Sequence, residues 1–186
     1  MSKQVWKPGT MVYPLPAVMV SCGDMVKSNI ITVAWTGTIC TDPAMVYISV
    51  RPERYSYNII KETGEFVINL TTKELARKTD FAGVRSGRDL DKFVKLKLTK
   101  EKASKVKAPL IKESPVNIEC KVTEIKELGS HHMFIAKVLA VDIDEKYLDE
   151  KGKFCLEKAN LITYSHGEYY EQGKNIGKFG FSVKKK

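Results

Sequence analysis

Residues 28–58 run SNIITVAWTGTICTDPAMVYISVRPERYSYN, two β-branched apolar segments on either side of Asp42-Pro43. Val, Ile, Thr, Tyr and Trp suit a half-buried pleated surface, and Asp-Pro favours a turn. The stretch therefore predicts two neighbouring strands, 30–38 and 44–50. Directly after the second come Arg51-Pro52-Glu53-Arg54 and then Tyr55, Ser56, Tyr57 and Asn58. Guanidinium groups fork onto phosphate oxygens, hydroxyls donate beside them, and a nearby aromatic can cover a planar ring. These residue types together suit a phosphorylated aromatic cofactor. They equally suit a hairpin in a β core that ends in a basic loop, and spacing alone does not separate the two readings.

The 186 residues suit a single domain, 1–186, able to bury a full core. No apolar run approaches the roughly 20 residues needed to span a bilayer, and the first residues lack the order of a signal peptide, so a cytoplasmic location is expected. The net charge of +9 raises nucleic acid as a partner. The lysines, however, alternate with Glu and Asp, as in residues 95–107, and the one dense block is Lys184-Lys185-Lys186. That distribution disfavours nucleic acid and suits a solvated surface attractive to anionic small molecules or acidic proteins. Cys22, Cys40, Cys120 and Cys155 form no CxxC pair and match no zinc spacing, and the three histidines do not suggest a metal site. Cys40 lacks a resolving partner nearby and is read as structural.

In chain order, residues 14–22 predict a first strand ended by Gly23-Asp24. Residues 53–63 predict a helix stopped by Gly64, and 65–70 a further strand. Thr71 or Thr72 can cap a helix through Ala82. Residues 83–88, GVRSGR, form a loop with two glycines, a hydroxyl and two arginines, which reads as either a phosphate-binding loop or a solvated connection. Residues 95–114 are charged and irregular. Residues 116–128 alternate apolar and polar, and with 132–143 they predict a hairpin about Gly129-Ser130. Residues 161–186, rich in Gly and Tyr, read as an extended arm that docks on a partner such as a second copy of the chain. Many strands, few short helices and no strand–helix–strand rhythm predict a mainly β fold, a barrel or sandwich with helices at its edges.

Several of these segments together resemble the flavin reductase-like, FMN-binding split-barrel proteins, and the flavoredoxins above all. The carriers are NIITVAW at 29–35, Asp42-Pro43 leading to Ile48-Ser49-Val50-Arg51-Pro52, and TGEFVIN at 63–69. Ser86-Gly87 with Asp91-Lys92-Phe93, Gly129-Ser130-His131 and Tyr164 complete the set. The resemblance implies a six-stranded Greek-key split barrel, a homodimer and one FMN per subunit, partly covered by the partner. It implies that Asn29 and Trp35 contact the ribityl chain and ring, with Thr32, Ala34, Ser49, Val50 and Arg51 along the strands facing the cofactor. Ser56 would bond the phosphate, and Ser86 and Lys92 would complete that pocket. His131 would lie near the ring or phosphate edge, with His132 as the alternative one position on, and Tyr164 would lie against the isoalloxazine.

The flavin itself carries the redox chemistry, so no protein nucleophile or general base is expected at the centre. The implied function is an FMN-dependent oxidoreductase that trades electrons with a ferredoxin-like protein. The alternative is a reductase that takes hydride from NAD(P)H. A basic surface suits docking on an acidic electron carrier. A basic β-barrel that binds nucleic acid, and a flavin store or barrel without cofactor, are the competing classes.

Overall fold

The computed structural model of the chain describes residues 1–183; the Lys184-Lys185-Lys186 block lies outside the described residues. Strands β1 (Leu15–Pro16), β2 (Val18–Gly23), β3 (Ser28–Val33), β4 (Thr36–Thr41) and β5 (Ala44–Val50) come first. Helix α1 (Tyr55–Thr63), strand β6 (Glu65–Leu70), helix α2 (Ala76–Val84) and helix α3 (Lys92–Leu96) follow. After the short strands β7 (Lys100–Glu101) and β8 (Leu110–Ile111) come the long pair β9 (Val116–Leu128) and β10 (His131–Ile143). The last strands are β11 (Ile162–Ser165) and β12 (Glu168–Glu171). Among the described residues the main sheet is antiparallel, in the order β3-β2-β6-β9-β10-β5-β4.

The expected strand at 30–38 is two strands. At Ala34-Trp35 the chain bends, Thr36 N–H donates to the Ala34 carbonyl, and Ser49 N–H donates to the Trp35 carbonyl at 2.9 Å. One segment thus serves both ends of the sheet: β3 pairs with β2, β4 pairs with β5, and the bend draws the two ends together. This split supplies the seventh strand of a sheet expected to have six.

The core follows from the side-chain alternation. Val18, Val20, Ile48, Val50, Phe66, Ile68, Phe134 and Ala136 fill the barrel interior. Strand β2 is buried on both faces, so its other side (Met19) packs with Ile30 of β3 under Ala82 of α2 and Phe93 of α3. Truncating Phe66 or Phe134, each fully buried, would cost about 3–5 kcal/mol through lost burial and the cavity left behind.

Residues 161–186 differ most from the expected arm. Residues 162–171 form the β11–β12 hairpin, and β11 pairs with β1, Leu15 opposite Tyr164. The turn is tight because His166 (φ 51°) and Gly167 (φ 96°) both take the left-handed backbone that two-residue hairpin turns require. Beyond it, residues 172–180 carry no regular structure, and Ile176 and Phe179 stand fully in solvent. No described helix is long and apolar enough to cross a membrane.

Candidate functional site

The bend at Ala34-Trp35 opens a cavity of about 400 Å³ against the ends of β3 and β5. Thr32, Ala34 and Trp35 line one side, and Ser49, Val50 and Arg51 line another. The β10–β5 register sets His132 opposite Val50, which carries His131 past the strand end toward Arg51. There the His131 ring packs on Trp35, with centroids 4.2 Å apart. Burial, and then the Arg51 guanidinium, hold the His131 pKa below the usual imidazole value. A neutral ring at this place can donate or accept one hydrogen bond without adding charge. The neighbouring His132 is accounted for elsewhere: its Nδ1 lies 2.7 Å from the Tyr57 hydroxyl, and its ring packs edge-on against Tyr57. The strand register therefore selects His131 of the two histidines.

The far wall is aromatic and comes from the two ends of the chain. Tyr13, just before β1, and Tyr164 of β11 lie 6.4 Å apart, and Tyr164 meets its cross-strand neighbour Tyr169 edge-on at 5.5 Å. Burial, and then the Asp80 carboxylate, push the Tyr169 hydroxyl up to about 12, so it stays a neutral donor. Sequence reasoning found Tyr164 and missed Tyr13, Tyr169 and Asp80. A signal was present: ITYSHGEYYE alternates about a Gly turn, a hairpin pattern that puts residues 164 and 169 side by side.

A second cavity of about 280 Å³ adjoins the first, and Ile31, Arg51, Arg54 and Gly83 line both. Its floor is polar and buried. Asn29 Nδ2 donates to Ser56 Oγ at 2.8 Å, with Asn29 3% exposed and Ser56 fully buried. Ser56 sits in the first turn of α1, whose cap Arg54 makes no side-chain cap bond and whose first turn has no acid. The positive end of that helix therefore faces the cavity without a protein anion, a ready place for phosphate. The rim holds Ser86, Arg85 and Arg88, the last with its guanidinium 5.7 Å from the Tyr55 ring and donating to the Glu53 carbonyl at 3.1 Å. Gly87 has to be glycine, because a Cβ there would lie 2.1 Å from the Asn29 amide oxygen.

Lys92 lines this cavity, with a feature that sequence did not reveal. Its ammonium donates to the carbonyls of Ile30, on the edge strand β3, and Ala82, near the end of α2, at 2.7 and 2.6 Å. Those are acceptors that sheet and helix leave open. Burial, and then the Arg54 charge, bring Lys92 down to about 8. One of its three donors remains for a ligand. All twelve residues expected to face a cofactor thus line the two joined cavities. Arg54, Arg85 and Arg88 were weighed by composition alone and are seen only here to share one rim.

Five cationic side chains and a single carboxylate, Glu53, surround the second cavity. Glu53 answers Arg51 at 3.6 Å. The pair of cavities fits a ligand with an apolar planar part, a polar chain and a terminal anion. No group of His, Cys, Asp and Glu among the described residues is placed to hold a metal ion.

The sequence matches the family described as Flavin reductase like domain over residues 10–172. An uncharacterized protein of Archaeoglobus fulgidus is 35% identical over 165 residues, covering 89% of this chain and 88% of that protein. Another, from Pyrococcus abyssi, is 34% identical over 159 residues, covering 86% and 91%. Among solved structures, the flavoredoxin of Desulfovibrio vulgaris (Miyazaki F) is 32% identical with a TM-score of 0.90, over 98% of this chain and 100% of that one. The flavoredoxin of Methanosarcina acetivorans is 25% identical with a TM-score of 0.86, over the same shares. An FMN-binding protein of Thermus thermophilus, 22% identical, shares the fold with a TM-score of 0.79 over 96% of this chain and 98% of that one.

Proposed function

This chain belongs to the flavin reductase-like domain family, with a flavin-related redox role, and from that premise we propose that it is an FMN-dependent oxidoreductase that passes electrons between a donor and a redox acceptor. One observation carries the choice of FMN. An aromatic-walled cavity opens directly into a cavity floored by the buried Asn29–Ser56 pair and rimmed by arginines. A ring, a ribityl chain and a phosphate need that sequence of environments. Bound there, FMN supplies hydride or single-electron transfer, chemistry that no side chain of the chain provides.

The chain's own part is to bind and to tune. Trp35, Tyr164 and Tyr13 cover the ring and keep water from it. Asn29 holds the Ser56 hydroxyl in place, so that Ser56 and the first N–H groups of α1 meet the phosphate. Arg51 and Arg54, at the seam of the cavities, balance its charge. His131, neutral and packed on Trp35, offers a ring nitrogen at the flavin edge. The donor is a ferredoxin-like protein in the reading favoured by the basic surface. Direct reduction by NAD(P)H is the second reading, and the guanidinium groups at the rim favour it. A homodimer would cover the exposed Ile176 and Phe179 and the open side of the ring cavity.

An absorption spectrum of the purified protein, followed by anaerobic mixing with NADH or NADPH, tests this. Bands at roughly 375 and 450 nm report the flavin. Bleaching within milliseconds identifies a nicotinamide-dependent reductase, and a spectrum untouched by either nucleotide identifies a protein donor. A colourless protein that takes up no added FMN would refute the proposal.

A further inference from the structure

Resting on the flavin reading above, we infer that the rim of the second cavity is a second phosphate subsite, in which Arg85 and Arg88 take a phosphoryl group of an adenine nucleotide beside the flavin's own phosphate. The argument starts from charge. The cavity is lined by five cations and one carboxylate, whereas a phosphate monoester brings about two negative charges. Placing one phosphate there leaves about two positive charges unanswered in a concave site, where like charges repel and no acid of the chain comes to meet them.

The placement of the groups divides them into two sets. Asn29 and Ser56 are buried at the floor, and Lys92, 3% exposed, is tied to two carbonyls. Arg51 and Arg54 stand at the seam with the ring cavity. These groups suffice for the phosphate of a flavin whose ring lies in the first cavity. Arg85 and Arg88 line only the outer cavity and are exposed at its rim, so they face whatever lies beyond that phosphate.

Neither rim arginine is needed to hold the fold. Among the described residues the Arg85 guanidinium makes no hydrogen bond or ion pair. Arg88 spends one donor on the Glu53 carbonyl and lays its plane near Tyr55, which orients the fork and leaves four N–H groups free. An oriented guanidinium with free donors, beside an unpaired one, is the arrangement that binds phosphate in two-pronged fashion. A concave site favours a small anion over the convex face of an acidic protein.

The phosphoryl group has two chemical sources: the adenylate half of FAD, joined to the flavin, or a separate nucleotide carrying an additional phosphate. Titrations of the full-length protein and of its R85A/R88A variant separate them. The first compares FMN with FAD on the flavin-free chain. The second adds 2′,5′-ADP to the FMN-loaded chain and reads heat and flavin fluorescence. The expected result is that R85A/R88A weakens one of these ligands by roughly 10- to 100-fold, the value of one or two charge-assisted bonds. FMN affinity and the thermal midpoint would stay near the parent's. A preference for FAD over FMN that the variant abolishes assigns the subsite to the flavin's adenylate. Binding of 2′,5′-ADP that the variant abolishes assigns it to a separate nucleotide. Equal affinities of variant and parent for both ligands would overturn the subsite. Failure of the parent to bind either flavin would instead sink the flavin reading, and 2′,5′-ADP alone would then decide the subsite.

Discussion

Two charged regions of this molecule are built on opposite principles. On β9, Glu119 is fully buried, and its carboxylate accepts from Ser104 N–H and hydroxyl, Lys105 N–H and Val106 N–H at 2.6–2.9 Å. Burial works against its charge, yet these donors outweigh burial and hold its pKa below the ordinary value. Beside it, burial and then the Glu119 charge push Asp142 up to about 6, so the pair shares a proton near neutrality. Every demand there is met from within the chain, and the result pins residues 104–106 onto the barrel. At the arginine cavity the chain supplies cations and almost no anions. A charged region completed by its own chain serves the fold, and one left open is completed by a ligand.

The largest expected effect breaks the closed region. Glu119→Ala strands the donors of 104–106, some of which can turn to water, and should cost on the order of 3 kcal/mol, read as a lower urea midpoint. Flavin uptake by the folded fraction should be retained, because the cavity lies elsewhere on the barrel. Arg54→Ala tests the open region and should do the reverse. Its FMN affinity should fall roughly 10- to 100-fold while stability stays within about 0.5 kcal/mol, since no protein group depends on this side chain. A large loss of stability in Arg54→Ala would erase the distinction between the regions.

Gly87→Ala should act between the two. The added methyl must displace the Asn29 amide or the loop, so FMN binding should weaken several-fold with a modest fall in melting temperature, whereas Gly129→Ala, where the space is open, would show only turn strain.

The smallest effects are those of pH. Lys92, lowered to about 8 by burial, regains its proton when a dianion binds, so FMN affinity should fall as pH rises through 8, by at most about tenfold per unit, and riboflavin should show no such slope. Asp142 has the opposite role. Its folded pKa of about 6 lies above the ordinary 3.8, so the folded state holds the proton more tightly. That contribution is complete below about 4 and lost as pH rises through 6. The urea midpoint should therefore climb as pH drops from 7 to 5, and Asp142→Asn should flatten the climb.

Much of the barrel was legible because its signals are local. Alternation marked β9 and β10, Gly64 marked the end of α1, and the apolar run at 44–50 is β5 residue for residue. The break at Ala34-Trp35 was not legible. A β-branched run reads as one strand, and the bend is set by the Ser49–Trp35 bond from a strand fourteen residues on. The hairpin of 162–171 was hidden because its partner, β1, lies almost 150 residues away, although its turn residues were in view.

The chain's own order of residues determined the mainly β fold, the type of ligand and the twelve side chains that line the cavities, because propensity and donor chemistry belong to each residue wherever it sits. Only the tertiary structure decided that His131 rather than His132 reaches the ring cavity, that Lys92 spends two donors on open carbonyls, and that Arg85 and Arg88 share a rim with Arg51 and Arg54. Those outcomes depend on register and on which backbone groups are left unpaired when the ends of the sheet meet, and neither exists until distant segments pack.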